Sequence, residues 1–134
     1  MKKKDSPKRE VVLVDSCGWI EYFSEGDKVE EYARYIEKAD PESNITPTIV
    51  LYEVYKRIRT LYSEELALQA IGHIQHHTKV IDLTTNIAII GAEISLTENI
   101  PMADAIILAT AKKAEATVVT GDSHFEGRKR VLFI

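Results

Sequence analysis

The chain has 134 residues, enough for one domain with a real core and too few for two ordinary ones. Hydrophobic residues make 45% of it and charged residues 28%, a balance that excludes a disordered or membrane-embedded chain. A net charge of -4 excludes a protein that holds nucleic acid on a broadly basic surface, so any such contact must be local.

The basic start, "MKKKDSPKRE", runs straight into a short apolar stretch and Asp15. That pattern predicts neither a signal peptide nor a membrane span, which needs roughly 18 apolar residues. Cys17 is the only cysteine and no internal disulfide can form, so the chain is expected to be cytoplasmic. Residues 1–10 read as a basic flexible tail and 11–134 as one domain.

"VVLVD" (11–15) is β-branched and wholly apolar before its Asp, the pattern of a strand covered on both faces. "SCGWIEYF" reads as a helix, and "DKVEEYARYIEKA" as another with Asp27 as its N-cap. "NIT" (44–46) is a short strand at best. From Pro47, taken as the first helical residue, Val50, Leu51, Val54, Ile58 and Leu61 share one helix face. "SEELALQAIGHIQHH" (63–77) completes a helical hairpin opened by Ser63, and "KVIDL" (79–83) is a strand. Two helices follow, "TNIAIIGAEISLTENI" and "PMADAIILATAKKAEA", the second opened by Pro101. "TVVTGD" and "RVLFI" are the last strands. Strands alternating with helices predict a three-layer α/β/α sandwich around a mainly parallel sheet.

In an open parallel sheet, strand C-termini and helix N-termini line one crevice, where ligands bind. Asp15 ends the first strand, Glu53 lies in the second turn after Pro47, Asp104 follows Pro101, and Asp122 follows the "TVVT" strand. All four therefore fall on that edge. At about 4 Å two unit charges repel by about 4 kcal/mol at an effective dielectric of 20. Helix N-termini offset only about 0.3–1 kcal/mol each. A divalent cation suits the cluster better, and oxygen ligands select a hard ion, Mg²⁺ or Mn²⁺. Such an ion serves phosphodiester cleavage by orienting the phosphate, activating a water and stabilising the departing oxygen.

"VVLVDSCGWIEYF", Glu53 in "PTIVLYEVYKR", "PMADAIILATA" with Asp104, and "TVVTGDSHF" together resemble the PIN-domain nucleases, in particular the VapC-type toxins of prokaryotic toxin-antitoxin pairs. The resemblance runs from Val11 to nearly the end of the chain. It implies a Mg²⁺- or Mn²⁺-dependent endoribonuclease acting on RNA, usually a homodimer and often neutralised by an antitoxin protein. Asp15, Glu53, Asp104 and Asp122 match the family's acidic quartet, with Asp15, Asp104 and Asp122 as the metal ligands. Ser16 and Thr120 match its small polar support residues. Many relatives carry a further acid shortly after the last Asp; here Ser123 and His124 stand there, as candidate substrate or support residues.

Plainer readings stand beside these. Asp15 and Asp122 are also ordinary turn residues, Glu53 a solvent-facing helix residue, and Asp104 a first-turn acid favoured by the helix dipole. Lys56, Arg57, Arg59 and Arg128 are candidate RNA-phosphate contacts or simply a solvated face and a charged loop. His73 and His77 sit four apart as a zinc pair would, but without a partner Glu or Cys they read as an exposed helix end. Cys17 reads as a small core residue, and Trp19, Tyr22 and Phe23 as core or dimer interface. A phosphoacceptor receiver would want paired acids after the first strand, and a haloacid-dehalogenase-type phosphatase Asp-x-Asp; "DSC" supplies neither. An RNA-processing nuclease without an antitoxin and a catalytically silent PIN-like module remain as alternatives.

Overall fold

The computed structural model describes residues 10–134, so all but Glu10 of the expected N-terminal tail lies outside the described residues. Glu10 itself is exposed, and its carboxylate accepts a hydrogen bond from the Thr117 hydroxyl at 3.3 Å.

Element order is β1 (Val11–Val14), α1 (Ser16–Phe23), α2 (Val29–Ile36), β2 (Asn44–Pro47), α3 (Thr48–Leu61), α4 (Glu64–His77), β3 (Lys79–Ile81), α5 (Thr85–Glu98), α6 (Met102–Ala114), β4 (Ala116–Thr120) and β5 (Val131–Phe133). A single 3₁₀ turn, Ser123–Phe125, separates the last two strands. The five strands form one sheet in the order β3-β2-β1-β4-β5. Every pairing in it is parallel, as the apolar runs of β1 and β4 predict. Helices cover the sheet as an α/β/α sandwich: α3 and α4 form a hairpin, α5 and α6 pack together, and α1 packs on α2 and α3.

The chain steps outward from β1 to β2 and β3, then crosses back to build β4 and β5 on the other side of β1. The gap between β1 and β4 is therefore the topological switch point, where a crevice opens beyond the strand ends. Register fixes what stands there. Val14 lies opposite Val119, so Asp15 and the Thr120–Asp122 segment leave the sheet side by side.

Leu13, Val14, Val118 and Val119 from the strands, with Trp19, Val50, Val54, Ile74 and Ile107 from the helices, form the principal core. A smaller cluster of Ile87, Ile106 and Ala109 seals α5 against α6. Gly18 matters to the first of these. A β-carbon there would stand 2.6 Å from the Tyr32 ring and 2.7 Å from a Val14 methyl. Gly18→Ala should lower the urea unfolding free energy by about 1–3 kcal/mol, because both neighbours are buried and cannot retreat. An unchanged midpoint would show that α1 shifts freely over β1.

Several local expectations need correction. Residues 44–46, read as a short strand at best, belong with Pro47 to a fully buried inner strand. Its polar residues are tolerated because they are paired: Thr46 and Thr78 hydroxyls meet at 2.7 Å, and Thr78 passes a bond on to the Ile74 carbonyl. Pro47 and Pro101 are extended residues just before their helices rather than first helical residues. Asp27 does not cap α2; Lys28 stands at the cap position without a side-chain cap bond, and the Glu21 carboxylate accepts from its amide at 2.7 Å. Leu61 is 47% exposed in the last turn of α3, and β3 ends at Ile81. His73 is no exposed helix end. Its ring packs edge-on against Trp19 and Phe23 and stacks on His77 at 4.3 Å, and burial lowers its proton affinity.

Candidate active site

Asp15 caps α1 from the end of β1. Its carboxylate accepts from the Ser16 amide at 2.7 Å and from the Thr120 hydroxyl at 2.8 Å. That hydroxyl in turn accepts from the Asp122 amide at 3.0 Å, so one threonine fixes two acids from opposite ends of the sequence. Beneath them the Cys17 thiol sits 3.5 Å from the Thr120 hydroxyl, 3.6 Å from the Tyr32 hydroxyl and 3.8 Å from Asp15, and accepts from the Gly121 amide at 3.4 Å.

Asp104, in the first turn of α6, and Asp122, which caps the 3₁₀ turn, are joined by His124. The His124 Nδ1 lies 2.9 Å from Asp104 Oδ2 and 3.1 Å from Asp122 Oδ1. Asp122 Oδ1 also accepts from the His124 amide at 2.9 Å, which locks the turn. Glu53 enters from α3, half-buried, and its Oε1 is buried without a hydrogen-bond partner.

Burial and neighbouring charge act on three of the acids, Asp15, Glu53 and Asp104. Asp15 is 3% exposed, and its proton affinity is raised chiefly by burial and further by Asp122, against the bonds from Thr120 and Ser16. Burial again leads at Glu53, where Asp15, Asp104 and Asp122 push in the same direction and a hydrogen bond from Ser16 opposes them. The Asp104 carboxyl is pushed up to about 6 by burial, then by Asp122 and Asp15, with His124 holding it back. Asp104, Asp122 and His124 bring two carboxylate oxygens and an imidazole nitrogen within 4.8 Å of one another, a donor set that fits a divalent cation, and Glu53 adds a buried oxygen that no hydrogen bond occupies.

The structure thus brings together Asp15, Ser16, Glu53, Asp104, Thr120, Asp122 and His124. Ser123 is exposed on the same turn, and no side-chain bond from it to the acids occurs among the described residues. Lys56, Arg57 and Arg59 are exposed on α3, Lys56 lying over the Tyr52 ring. Arg128 is half-buried and engaged: its Nε donates to the His124 carbonyl at 2.9 Å and its guanidinium pairs with Glu98. Cys17, read as a small core residue, lies instead beside the Asp15 carboxylate and the Thr120 hydroxyl, and Tyr32 was not legible as its neighbour because that contact depends on how α2 packs on α1.

An all-parallel sheet whose switch-point crevice gathers carboxylates from four segments defines a class of α/β protein built to concentrate negative charge. The chain belongs to the PIN domain family: the family model matches residues 12–130. No curated protein matches it. Among solved structures, a toxin-antitoxin complex from Klebsiella pneumoniae is similar at 24% identity and a TM-score of 0.73, over 90% of this chain and 95% of that one. The DNA-bound VapBC of Salmonella typhimurium is similar at 17% identity and a TM-score of 0.71, over 93% and 97%. The sarcin-ricin loop cleaving toxin VapC20 of Mycobacterium tuberculosis is similar at 18% and 0.70, over 80% and 86%. PIN domains are a family of nucleases.

Proposed function

We propose that this chain is a Mg²⁺- or Mn²⁺-dependent endoribonuclease and the toxin of a VapBC-type toxin-antitoxin pair, acting in the cytoplasm. One observation carries the reading: carboxylates from four separate segments converge on one crevice, where burial and their neighbours' charge raise the proton affinity of Asp15, Glu53 and Asp104, and Glu53 holds a buried oxygen with no partner. Asp15, Asp104 and Asp122 are the residues that would hold the ion. When bound, it would neutralise the cluster, orient the scissile phosphate and make a water acidic enough to attack.

The chain's own groups do the rest. Thr120 and Ser16 hold the Asp15 carboxylate in place, so its geometry is set before substrate arrives. Glu53, with its raised proton affinity, is suited to take the proton of the attacking water. Lys56, Arg57 and Arg59 stand exposed on the helix that carries Glu53 and would meet flanking phosphates. Exposed Tyr52 and Leu68, on α3 and α4, offer an apolar patch beside them for a second copy or an antitoxin. The similar structure from Klebsiella pneumoniae is a toxin-antitoxin complex, which supports the partner reading.

The purified chain should cleave RNA with Mg²⁺ or Mn²⁺, fall silent with EDTA, and recover on adding Mn²⁺ in excess. Cleavage that persists in EDTA, or none with either ion, would overturn the metal-dependent reading. Growth arrest on expression, relieved by the product of an adjacent gene, would support the toxin assignment. Cleavage without growth arrest would favour an RNA-processing enzyme that has no antitoxin.

A further inference from the structure

We propose that His124 is a nitrogen ligand of this metal centre and tilts it toward Mn²⁺ over Mg²⁺. The inference rests on the metal-dependent reading above and adds to it the ligand that sets ion choice. Asp104, Asp122 and His124 each present one donor atom, and the three atoms lie within 4.8 Å of one another. In an octahedral site with bonds of about 2.1 Å, neighbouring ligand atoms stand about 3 Å apart. The imidazole Nδ1 already lies 2.9 Å and 3.1 Å from the two carboxylate oxygens. The spacing of the imidazole nitrogen from each carboxylate oxygen therefore already matches that of neighbouring ligands around one ion.

His124 is placed, not loosely hung. The 3₁₀ turn fixes its backbone through the bond from its amide to Asp122, and fully buried Phe125 anchors the next residue. Arg128 grips its carbonyl and is itself tied to Glu98 at the end of α5. The consequence is chemical. Mg²⁺ prefers carboxylate, carbonyl and water, whereas an imidazole adds affinity for first-row transition ions. Carboxylates alone hold either ion; a placed nitrogen separates them.

The test is titration calorimetry of the metal-free protein with MnCl₂ and, separately, MgCl₂, for wild type, His124→Ala and His124→Asn, with thermal melts to confirm folding. Both variants should lose Mn²⁺ affinity by about tenfold or more, with Mg²⁺ affinity moving by less than about threefold. Electron spin-echo spectra of Mn²⁺ bound to wild type should carry a nitrogen modulation that His124→Ala removes. Equal losses for both ions, tighter binding of both, or a wild-type spectrum without the nitrogen signal would each overturn the ligand role. Absence of any Mn²⁺ binding by wild type would instead remove the metal centre itself.

Discussion

Asp15→Asn should reduce RNA cleavage by about a thousandfold while leaving the fold intact. Asn keeps the shape of the side chain and an oxygen that still accepts from the Ser16 amide, and it caps a helix as well as Asp does. What it loses is the charge, at a carboxylate that is 3% exposed and fixed by Thr120 between the two chain segments of the crevice. Stability of the metal-free variant should hold or rise, since a buried charge among like charges has been removed. Initial rates of RNA cleavage at saturating Mg²⁺, set beside thermal melts of both proteins, make the comparison. Cleavage retained at the wild-type rate, after contaminating nucleases are excluded, would remove Asp15 from the reaction.

Much of this arrangement was legible because parallel sheets obey strong rules. The runs before Asp15 and Asp122 are continuous and β-branched, so both had to be covered strands. Strand ends and helix starts share an edge in such a sheet, which put Asp104 and Glu53 near them without any contact being known. Asn44 to Pro47 hid a buried inner strand, because two polar side chains and a proline look like no more than a short exposed strand until the Thr78 hydroxyl is brought to the Thr46 hydroxyl. The histidines were hidden for the same kind of reason. "HIQHH" looks solvated until the Trp19 and Phe23 rings close over His73. His124 was legible as a neighbour of Asp122, but its bridge to Asp104 depends on the 3₁₀ turn and on a side-chain direction that no spacing encodes.

Asp104→Asn should stabilise the metal-free protein above pH 6 and abolish the stabilisation that Mn²⁺ gives the wild type. In the unfolded chain Asp104 titrates near 3.8, whereas in the fold it is pushed up to about 6 by burial, Asp122 and Asp15. Between these values the folded state holds a proton that the unfolded state has lost, so wild-type stability falls as pH rises from about 4 to about 6 and stays lower beyond. The roughly two-unit displacement corresponds to about 3 kcal/mol at most. Asp15 and Glu53 are shifted in the same direction and steepen the fall. Asn cannot ionise, so the variant's curve of unfolding free energy against pH should be flatter and should lie above the wild type's at pH 8. Mn²⁺ reverses the order: at a hundred times its dissociation constant it adds about 2.7 kcal/mol to the wild type and little to a variant that has lost a ligand. Urea unfolding at pH 5 and pH 8, with and without MnCl₂, separates these terms. Equal stability of the metal-free wild type at both pH values, together with an unchanged response to Mn²⁺ in the variant, would mean that the carboxylates do not crowd one another and that Asp104 holds no ion.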